Sequence, residues 1–508
     1  MIYEKIPEQF NASQYLLEHD NLGLDLETKV ALYYNDVAYT YRDLNTYVNK
    51  YANYYLKSNI SAGDAIVLYM QDCPEFVFLF LGALKAGVIP VLINHKMSGM
   101  EVEEIAGRTD AIKIFTNSGL FESLKETGVN NIARNYEELK DEIYSMPDCF
   151  QAAVTKKDDE AFVLFTSGSS GIPKGAVHSH ADIAVAAETY GKYVLDTNSS
   201  DVFYTHSKMS FAYGLGGLYI PLSKGASLVI NSEDDMYDIP DIIKKYHVTK
   251  FQAVPSVYLS LLMLINEDKT AFASCKICTS SGESLPKKLA IDWKNKTGLE
   301  VYQCYGSTEM LTVVISNTAD TMRYGSMGKA IKGYMAEIRN KEGQLAKPLE
   351  AGTLFVKGGS LMSRYWKNDK LTKEVLTEHG INTGDMCYKD EDGFLWYVGR
   401  YSDIFKVNGV WQSALPIEEV ILEEPGIKEA VVTTEASDGE SKIVAYAVAK
   451  ELHNCEEMIK KIRKLFFQKK MRTLCPEKYY FVEAIPRGNT GKVKRGDVNS
   501  SRILLVVE

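Results

Sequence analysis

The sequence lacks a long uninterrupted hydrophobic run. Its most apolar segment, residues 76–93, is interrupted by Lys85, Gly87 and Pro90, whereas a membrane-spanning helix needs about 20 consecutive apolar residues. The segment therefore predicts a helix that ends at Gly87 and a short strand over 88–93. The first residues also lack the basic and then apolar pattern of a secretory signal peptide. We expect a protein with no membrane partner.

An excess of basic charge is absent as well. The 508 residues contain 57 lysines and arginines against 67 aspartates and glutamates, which gives a formal net charge of −10. A broadly basic surface for nucleic acid is thereby excluded, although a local basic pocket for a nucleotide is not. The lysines of the segment 456–470 fit a solvated helix face better than a binding site.

Cysteine is scattered, with eight residues in the chain. Only Cys275 and Cys278 lie close together, and no second pair accompanies them. Because a separation of three on a strand places two side chains on opposite faces, we predict buried structural thiols rather than a zinc site or a redox pair. Scattered thiols suit a reducing compartment, so we expect a cytoplasmic protein.

Apolar runs of strand length alternate with helical patterns along most of the chain. The clearest predicted strands cover residues 65–70, 89–93, 113–116, 162–165, 226–230, 251–254 and 276–279, and helices are predicted over 41–56 and 242–246. This alternation is typical of α/β folds with largely parallel sheets. The chain is also too long for one ordinary core.

A change of pattern near residues 399–403 predicts a domain boundary. We expect a large domain over residues 1–402 and a small α+β domain over 403–508. Within the small domain, strands are predicted over 430–433 and 442–448 and an amphipathic helix over 456–470.

A Gly- and Ser-rich loop follows the predicted strand over 162–165. Its sequence, Thr166-Ser167-Gly168-Ser169-Ser170-Gly171-Ile172-Pro173-Lys174-Gly175, combines exposed backbone N–H groups, hydroxyl donors and one cation. Successive N–H groups form an anion-binding concavity, so the loop predicts a phosphate-binding site. The spacing differs from that of a Walker loop, which leaves a P-loop ATPase without support. Taken alone, the same residues would also fit a flexible turn.

Four further segments follow in a fixed order. They are Ser281-Gly282-Glu283-Ser284-Leu285-Pro286, Tyr305-Gly306-Ser307-Thr308-Glu309, Thr383-Gly384-Asp385 and the run from Pro486 to Arg495. With these motifs the chain resembles, over nearly its whole length, the adenylate-forming superfamily of acyl-CoA synthetases, adenylation domains and luciferases. The resemblance implies an α/β fold, with a large N-terminal domain of stacked mixed sheets and flanking helices and a small mobile α+β C-terminal domain.

Within this superfamily the chain is most similar to aryl-CoA ligases of the benzoate-CoA ligase type. The similarity rests on residues 207–217, 305–317 and 322–329. It implies an enzyme that activates an aromatic acid with ATP and Mg²⁺ and then forms a thioester with coenzyme A. A free-standing enzyme that loads the pantetheine thiol of a carrier protein is the alternative, since the same motifs serve both acceptors. A luciferase-like oxidase and a non-catalytic scaffold fit less well. Either a monomer or a homodimer is compatible with the family.

The resemblance implies an ATP site built from several of these segments. Its members would be Thr166, Ser167, Gly168, Ser169, Ser170, Gly171, Lys174, Gly282, Glu283, Ser284, Tyr305, Gly306, Ser307, Asp385 and Arg400. Tyr305 would offer a flat face to adenine, and Asp385 would accept both ribose hydroxyls with Arg400 as a nearby donor. Read alone, Tyr305 would fit a core aromatic and Asp385 a turn former.

The residues expected to act on the phosphates are Thr308, Glu309 and Lys492. Glu309, together with Thr166, would hold Mg²⁺, because a carboxylate is the hard oxygen ligand that this ion prefers. Read alone, Glu309 would fit an exposed loop acid. The hydroxyl of Thr308 would hydrogen-bond the α-phosphate. Lys492 would bridge the carboxylate and the α-phosphate as charge develops.

The family alternates between two half-reactions by rotating its small domain about a hinge. Asp403 matches the hinge position, which needs only to absorb a large change in φ and ψ. Residues 406–410, with Lys406 and Gly409, match the segment that replaces Lys492 and lines the thiol tunnel. Pro416 departs from the Glu that this branch commonly carries after the hinge strand.

The acyl pocket is implied to be lined by seven residues. They are Phe211, Ala212, Tyr213, Gly282, Gly306, Thr312 and Val313. Small residues at 212, 282 and 306 leave a flat slot that suits a planar ring, and no Asp between Ser207 and Gly217 is present to bind an α-amino group. Thr312 replaces the His of benzoate-specific ligases. A smaller, hydroxyl-bearing residue predicts a wider pocket that accepts a hydroxy- or amino-substituted benzoate or a longer aryl acid.

Overall fold

The computed structural model describes residues 2–18, 26–166, 173–232, 235–265, 270–400, 404–407, 410–437, 440–487 and 493–507. The chain divides into two compact units. The first comprises Met1–Glu337, Phe355–Asn382 and Gly393–Leu395, and the second comprises Ile338–Leu354, Thr383–Asp392 and Trp396–Glu508.

The strands, in chain order, are β1 (Val30–Tyr34), β2 (Val37–Thr40), β3 (Ala65–Tyr69), β4 (Ile89–Leu92), β5 (Lys113–Thr116), β6 (Ala133–Asn135), β7 (Glu160–Thr166), β8 (Lys174–Ser179), β9 (Val202–Thr205), β10 (Ser227–Val229), β11 (Lys250–Ala253), β12 (Ile277–Ser280), β13 (Val301–Gly306), β14 (Val313–Ser316), β15 (Lys329–Ala330), β16 (Met335–Arg339), β17 (Gly352–Lys357), β18 (Arg364–Tyr365), β19 (Leu376–Thr377), β20 (Gly380–Lys389), β21 (Leu395–Arg400), β22 (Ile404–Val407), β23 (Val410–Ser413), β24 (Ile427–Ser437), β25 (Glu440–Ala449), β26 (Lys478–Val482) and β27 (Ile503–Val507).

The α-helices are α1 (Ala12–Leu17), α2 (Tyr41–Lys57), α3 (Pro74–Ala86), α4 (Gly99–Thr109), α5 (Ser118–Glu122), α6 (Tyr136–Tyr144), α7 (His180–Ala186), α8 (Ala212–Leu222), α9 (Ile239–Lys245), α10 (Pro255–Leu264), α11 (Lys287–Thr297), α12 (Asp369–Val375), α13 (Leu415–Leu422) and α14 (Cys455–Gln468).

A seven-stranded sheet of the first unit has the order β18-β8-β7-β4-β3-β5-β6. Its central strands are parallel, and their fully buried Val and Ile side chains read as continuous apolar runs. Helix α3 begins with Pro74 in its first turn and ends at Gly87, whose φ of 73° is the left-handed conformation that closes a helix. Strand β8 returns antiparallel to β7, which brings the two ends of the Gly- and Ser-rich loop together.

A nine-stranded sheet of the first unit has the order β15-β14-β13-β12-β11-β9-β10-β1-β2. Strands β9, β11, β12 and β13 are parallel neighbours, so their carboxyl ends meet at one edge. Helices α10 and α11 cover the sheet through a cluster in which Trp293 contacts Tyr258 and Phe272 edge-on. Loops at the carboxyl ends of parallel strands are where α/β folds bind ligands.

Three smaller sheets complete the structure. One has the order β16-β17-β20-β19 with β21 paired to β20, a second pairs β22 with β23, and a third has the order β24-β25-β26-β27. In the third, α14 buries Met458, Ile459, Ile462 and Phe466 against the strands.

The fold confirms the predicted α/β class with a large and a small part. The seven predicted strands correspond to β3, β4, β5, β7, β10, β11 and β12, and the helix predicted over 41–56 is α2, which starts with a capping box between Thr40 and Asp43. The boundary between 402 and 403 stays a prediction. No helix in the described part of the chain combines the length and apolar character that crossing a bilayer requires.

The expected geometry of the cysteine pair is wrong, whereas its burial is confirmed. Strand β12 begins at Ile277, so Cys275 lies in the preceding turn and not on the opposite face of the strand. Its thiol hydrogen-bonds that of Cys278, and this contact together with burial raises the pKa of the Cys278 thiol. Both cysteines are buried and, like the other six, form no disulfide.

Candidate active site

The predicted phosphate loop connects the two paired strands β7 and β8. Thr166, the last residue of β7, lies opposite Lys174, the first residue of β8. Helix α4 supports one end of this loop through Arg108, whose Nη1 donates to the carbonyl of Pro173 at 2.7 Å. Ser167, Gly168, Ser169, Ser170 and Gly171 lie outside the described residues. Thr166 and Lys174 are therefore placed at the two ends of the predicted loop.

Glu309 lies in a 3-10 turn, Thr308–Met310, that packs against β7 and β8. Its side chain is half-buried, and Oε1 accepts a hydrogen bond of 2.7 Å from the hydroxyl of Tyr365. Tyr365 is buried and belongs to β18, which pairs with β8 beside the phosphate loop. The carboxylate is thus oriented by a residue 56 positions further along the chain.

The backbone carbonyls of this turn are all engaged. Those of Thr308, Glu309 and Met310 accept from His178 Nε2, the Met362 amide and Ser360 Oγ, each at 2.8 Å. The carbonyl of Leu311 accepts from Tyr219 at 3.5 Å. Leu311 closes the turn with a φ of 62°, a conformation that non-glycine residues rarely adopt. Four contacts, from β8, from α8 and from the segment between β17 and β18, therefore hold one strained turn.

The donor set fits Mg²⁺ held largely by its nucleotide. Within the described ranges, no group of three or more His, Cys, Asp or Glu side chains could hold a metal ion. Glu309 contributes one carboxylate, and Thr166 contributes a hydroxyl at the end of β7. Mg²⁺ in nucleotide sites takes one or two protein oxygens and completes its shell with phosphates and water. The residues present are compatible with that arrangement.

The residues expected around adenine lie on neighbouring segments of the nine-stranded sheet. Gly282, Glu283 and Ser284 follow the carboxyl end of β12, and Tyr305 occupies the end of the parallel neighbour β13. Gly282 is exposed and has a φ of 91°, which a residue with a side chain would adopt only under strain. Ser307 precedes the 3-10 turn in an extended conformation. The structure therefore places these residues at one edge of one sheet.

Three predicted acyl-pocket residues form one contact group. Gly306 pairs with Val313 across strands β13 and β14. A Cβ atom on Gly306 would lie 2.2 Å from the carbonyl oxygen of Thr312, so only glycine fits against this buried threonine. The small residue at 306 is therefore required by the backbone as well as by the proposed ligand.

Three further predicted acyl-pocket residues lie at the start of α8. Phe211 is its N-cap, Ala212 is buried, and Tyr213 extends to β12, where its hydroxyl lies 2.7 Å from Thr279 Oγ1. Gly282 follows three residues after Thr279. Tyr213 therefore reaches the strand that leads into the predicted adenine loop.

A buried polar network holds the hydroxyl of Tyr213 through Thr279. Thr279 also accepts from Tyr190 at 3.1 Å, and Gln252 donates to Tyr190 at 2.9 Å. Thr205 closes the network with a bond of 2.9 Å to Gln252 Oε1. Burial raises the pKa of the Tyr213 hydroxyl well above its usual value, so this hydroxyl acts as a neutral hydrogen-bonding group. The sequence analysis did not find these supporting residues.

The second unit brings the predicted ribose residues together. Asp385 is buried on β20, and its Oδ1 lies 3.4 Å from both Arg400 Nε and the Tyr397 hydroxyl. Its amide donates to Thr383 Oγ1, which turns the chain at Gly384. The acceptor and the nearby cation predicted from the sequence thus form an ion pair.

The remaining predicted residues lie outside the described side chains. Asp403, Gly409 and Lys492 fall on residues that are not described, and only the backbone of Lys406, in β22, is described. The three other cations of the last motif have partners within the second unit, and Arg487 Nη2 lies 2.6 Å from Glu429. Arg495 Nη2 binds Glu418 at 2.7 Å, and Lys494 lies 3.8 Å from Asp497.

The sequence analysis missed Tyr365, His178 and the network behind Tyr213. None of them lies in the motifs that carried the resemblance. Tyr365 and Glu309 are joined by strand pairing rather than by spacing, so no local pattern connects them. His178 and His180 alternate on a strand and a helix start, which by sequence alone is compatible with two core histidines.

Comparison with known proteins gives matches across both units. The AMP-binding enzyme profile matches residues 25–366, and the profile of the AMP-binding enzyme C-terminal domain matches residues 416–492. The benzoate–CoA ligase of Thauera aromatica is 30% identical over 98% of this chain and 97% of its own length. A 3-hydroxybenzoate–CoA ligase of Aromatoleum sp. (strain CIB) is 26% identical over 90% of each chain.

Solved structures of aryl-CoA ligases are similar to this chain over nearly its whole length. An anthranilate CoA ligase in complex with anthranoyl-AMP superimposes with a TM-score of 0.91 at 27% identity, covering 98% of each chain. A benzoate CoA ligase from Burkholderia xenovorans LB400 gives a TM-score of 0.87 at 29% identity, covering 96% of this chain and 99% of the other. The chain belongs to the AMP-binding enzyme family, within the adenylate-forming superfamily and near its aryl-CoA ligases.

Proposed function

We propose that this protein is an AMP-forming aryl-acid:CoA ligase. It joins an aromatic carboxylate to ATP with release of pyrophosphate, and then passes the acyl group to the thiol of coenzyme A with release of AMP. The observation that carries the proposal is the turn at Thr308 and Glu309, fixed by Tyr365 against the strands that begin and end the phosphate loop.

The first half-reaction is an attack of the carboxylate on the α-phosphorus of ATP. Such transfer depends on positioning and on stabilising the charge that develops around phosphorus. Glu309 would hold Mg²⁺ against the phosphates, and the ion would supply charge neutralisation there. Thr308 would donate to an α-phosphate oxygen. Lys492 would bridge the carboxylate and the phosphate as the bond forms, because its ammonium sits on a long flexible stem.

In the second half-reaction the thiol of coenzyme A attacks the carbonyl carbon of the aryl-adenylate, a C–S bond forms, and the C–O bond to AMP breaks. We infer that the small domain predicted over residues 403–508 turns about Asp403, which removes Lys492 and brings residues 406–410, with Lys406 and Gly409, to the thiol tunnel. The ion pair of Asp385 and Arg400 belongs to the second unit and would hold the ribose of the nucleotide.

The acid is aromatic on this proposal. The proteins similar to this chain include benzoate, 3-hydroxybenzoate and anthranilate CoA ligases. Gly306 packs directly against the backbone of Thr312, and Tyr213 lies in the first turn of α8. A wider pocket with Thr312 favours a substituted benzoate. We also propose the cytoplasm as its location, since all eight cysteines are free thiols.

The test is pyrophosphate release with ATP, Mg²⁺ and a panel of benzoates, hydroxybenzoates, aminobenzoates, cinnamates and fatty acids, with and without CoA. Strong stimulation by CoA on one aryl acid is the expected result. Slow release that CoA does not accelerate would instead indicate a carrier-protein thiol as acceptor. Turnover confined to fatty acids would overturn the aryl assignment.

A further inference from the structure

His178 is fully buried on β8, and both of its ring nitrogens face oxygen atoms. Nδ1 lies 2.8 Å from Asp182 Oδ2, and Nε2 lies 2.8 Å from the backbone carbonyl of Thr308. The ring stacks on Phe162 of the paired strand, with centroids 5.3 Å apart and an angle of 23°. The imidazole therefore links the first turn of α7 to the turn that carries Glu309.

The direction of each hydrogen bond follows from the acceptors. Asp182 already accepts from the Ser179 amide at 3.1 Å and from Ser179 Oγ at 2.8 Å, which is the behaviour of an ionised carboxylate. A peptide carbonyl can only accept. Nε2 therefore donates to the carbonyl of Thr308, and Nδ1 faces a carboxyl group that also binds Ser179.

The bond to Thr308 acts on the residues expected to meet the nucleotide. Fixing the carbonyl of Thr308 fixes the peptide plane between Thr308 and Glu309. That plane sets the direction in which both side chains leave the backbone. Glu309 then needs only its bond to Tyr365 to aim its carboxylate. His178 touches neither nucleotide nor acid in this arrangement.

We propose that His178, oriented by Asp182, is a positioning residue for the Thr308–Glu309 turn and thereby for binding of Mg²⁺ and ATP. The inference rests on the proposed function. A positioning role and a purely structural role of His178 and Asp182 predict different changes in kcat and KM. A structural defect lowers the active fraction, hence kcat, and leaves both KM values unchanged. A displaced turn raises the KM for ATP and the Mg²⁺ requirement selectively.

The variants His178→Gln, His178→Phe and Asp182→Asn separate these roles. Glutamine keeps a donor for the Thr308 carbonyl, whereas phenylalanine fills the space without one. The matched control is His180→Asn, which removes the neighbouring buried imidazole but keeps an acceptor for the Ala12 amide that His180 Nδ1 binds at 3.1 Å. For each variant, the KM values for ATP and the acid, the half-saturating Mg²⁺ concentration and the melting temperature are measured.

His178→Phe is expected to raise the KM for ATP and the Mg²⁺ requirement about 10–100-fold, the usual cost of losing a group that orients a metal ligand. The KM for the acid should remain unchanged, His178→Gln should recover most of the loss, and Asp182→Asn should show a smaller effect of the same kind. Equal effects of His178→Phe and His180→Asn, or a loss confined to kcat, would overturn the inference. If the wild-type protein itself releases no pyrophosphate with any acid, the proposed function fails instead.

A second measurement remains informative if His178→Phe does not fold. Nitrogen NMR of histidine-labelled wild-type protein should show Nε2 of His178 protonated, with the resonance assigned through His178→Gln. An Nε2 without a proton would contradict the donor contact to Thr308 and with it the inference.

Discussion

The hydroxyl of Tyr365 donates a hydrogen bond of 2.7 Å to Oε1 of Glu309. Tyr365 is buried on the edge strand β18, and Glu309 lies in a 3-10 turn beyond the end of β13. The bond engages one oxygen of the carboxylate and fixes its direction. Glu309 is therefore an oriented carboxylate rather than a mobile surface acid.

Tyr365→Phe should weaken the use of Mg²⁺. A hydrogen bond to a charged group is worth about 1.5–3 kcal/mol, so the half-saturating Mg²⁺ concentration should rise about 10–100-fold at most. The measurement is pyrophosphate release against Mg²⁺ at saturating acid. Tyr55→Phe is the matched control, because it removes another buried hydroxyl that bonds the Leu79 carbonyl at 2.9 Å. The same shift in both variants would refute an orienting role for Tyr365.

Asp385→Asn should weaken ATP binding and leave the acid unaffected. The substitution removes the charge that faces Arg400 at 3.4 Å and halves the acceptor capacity proposed for the ribose. The KM for ATP should rise about 10-fold or more, given about 1.5–3 kcal/mol per charged hydrogen bond. Asp390→Asn serves as the control, since Asp390 binds Trp396 Nε1 in the same unit. An unchanged KM for ATP would remove Asp385 from the site.

Thr312→His should narrow the acyl pocket. Thr312 is buried beside Gly306, and an imidazole at this position is larger than the threonine side chain it replaces. The ratio of kcat/KM for benzoate over hydroxy- and aminobenzoates should rise, by the equivalent of about 1–3 kcal/mol, the usual range for such a pocket change. Thr312→Ser, which keeps the hydroxyl and adds no bulk, should leave the ratio near that of the wild type. No shift with histidine would contradict the placement of Thr312 in the pocket.

Stability should fall as the pH drops from about 6.5 to 4. Burial lowers the pKa of His180 from 6.5 to about 4, with a smaller opposing effect from Asp159. Between these values the unfolded chain binds a proton that the folded chain does not, so the free energy of unfolding decreases with falling pH. The loss is on the order of 3 kcal/mol, since one pKa unit is worth about 1.4 kcal/mol. Urea titrations at several pH values measure it.

His180→Asn should flatten this pH dependence, because asparagine keeps the acceptor for the Ala12 amide without a titrating group. The wild-type protein and the variant should therefore converge towards pH 4. A parallel decline of both proteins between pH 6.5 and 4 would show that other groups dominate the acid response.

The parallel strands and the order of the motifs were predictable from the sequence. Each depends on local patterns, such as the apolar run of β3 or the Gly-Ser-Thr-Glu sequence after β13. Arg400 was expected near Asp385, and its Nε lies 3.4 Å from Asp385 Oδ1. The roles assigned to these residues stay predictions.

The supporting contacts were not predictable, because they depend on which distant segments pair. Tyr365 meets Glu309 only because β18 adds to the edge of β8, and His178 meets Thr308 only because the turn packs on β8. The cysteine pair illustrates a local error of the same kind. Its geometry depended on where β12 begins, and element ends are set by tertiary hydrogen bonds that spacing does not encode.

The proposed ligase activity is most directly tested by mass spectrometry of the products of one turnover, with the best acid of the panel, ATP and Mg²⁺. We expect an aryl-adenylate and pyrophosphate in the absence of CoA, and aryl-CoA with one equivalent of AMP in its presence. Lys492→Ala should lose the adenylate yet still convert added aryl-adenylate and CoA to the thioester. Formation of ADP and phosphate, or of no adenylate with any aryl acid, would contradict the proposed activity.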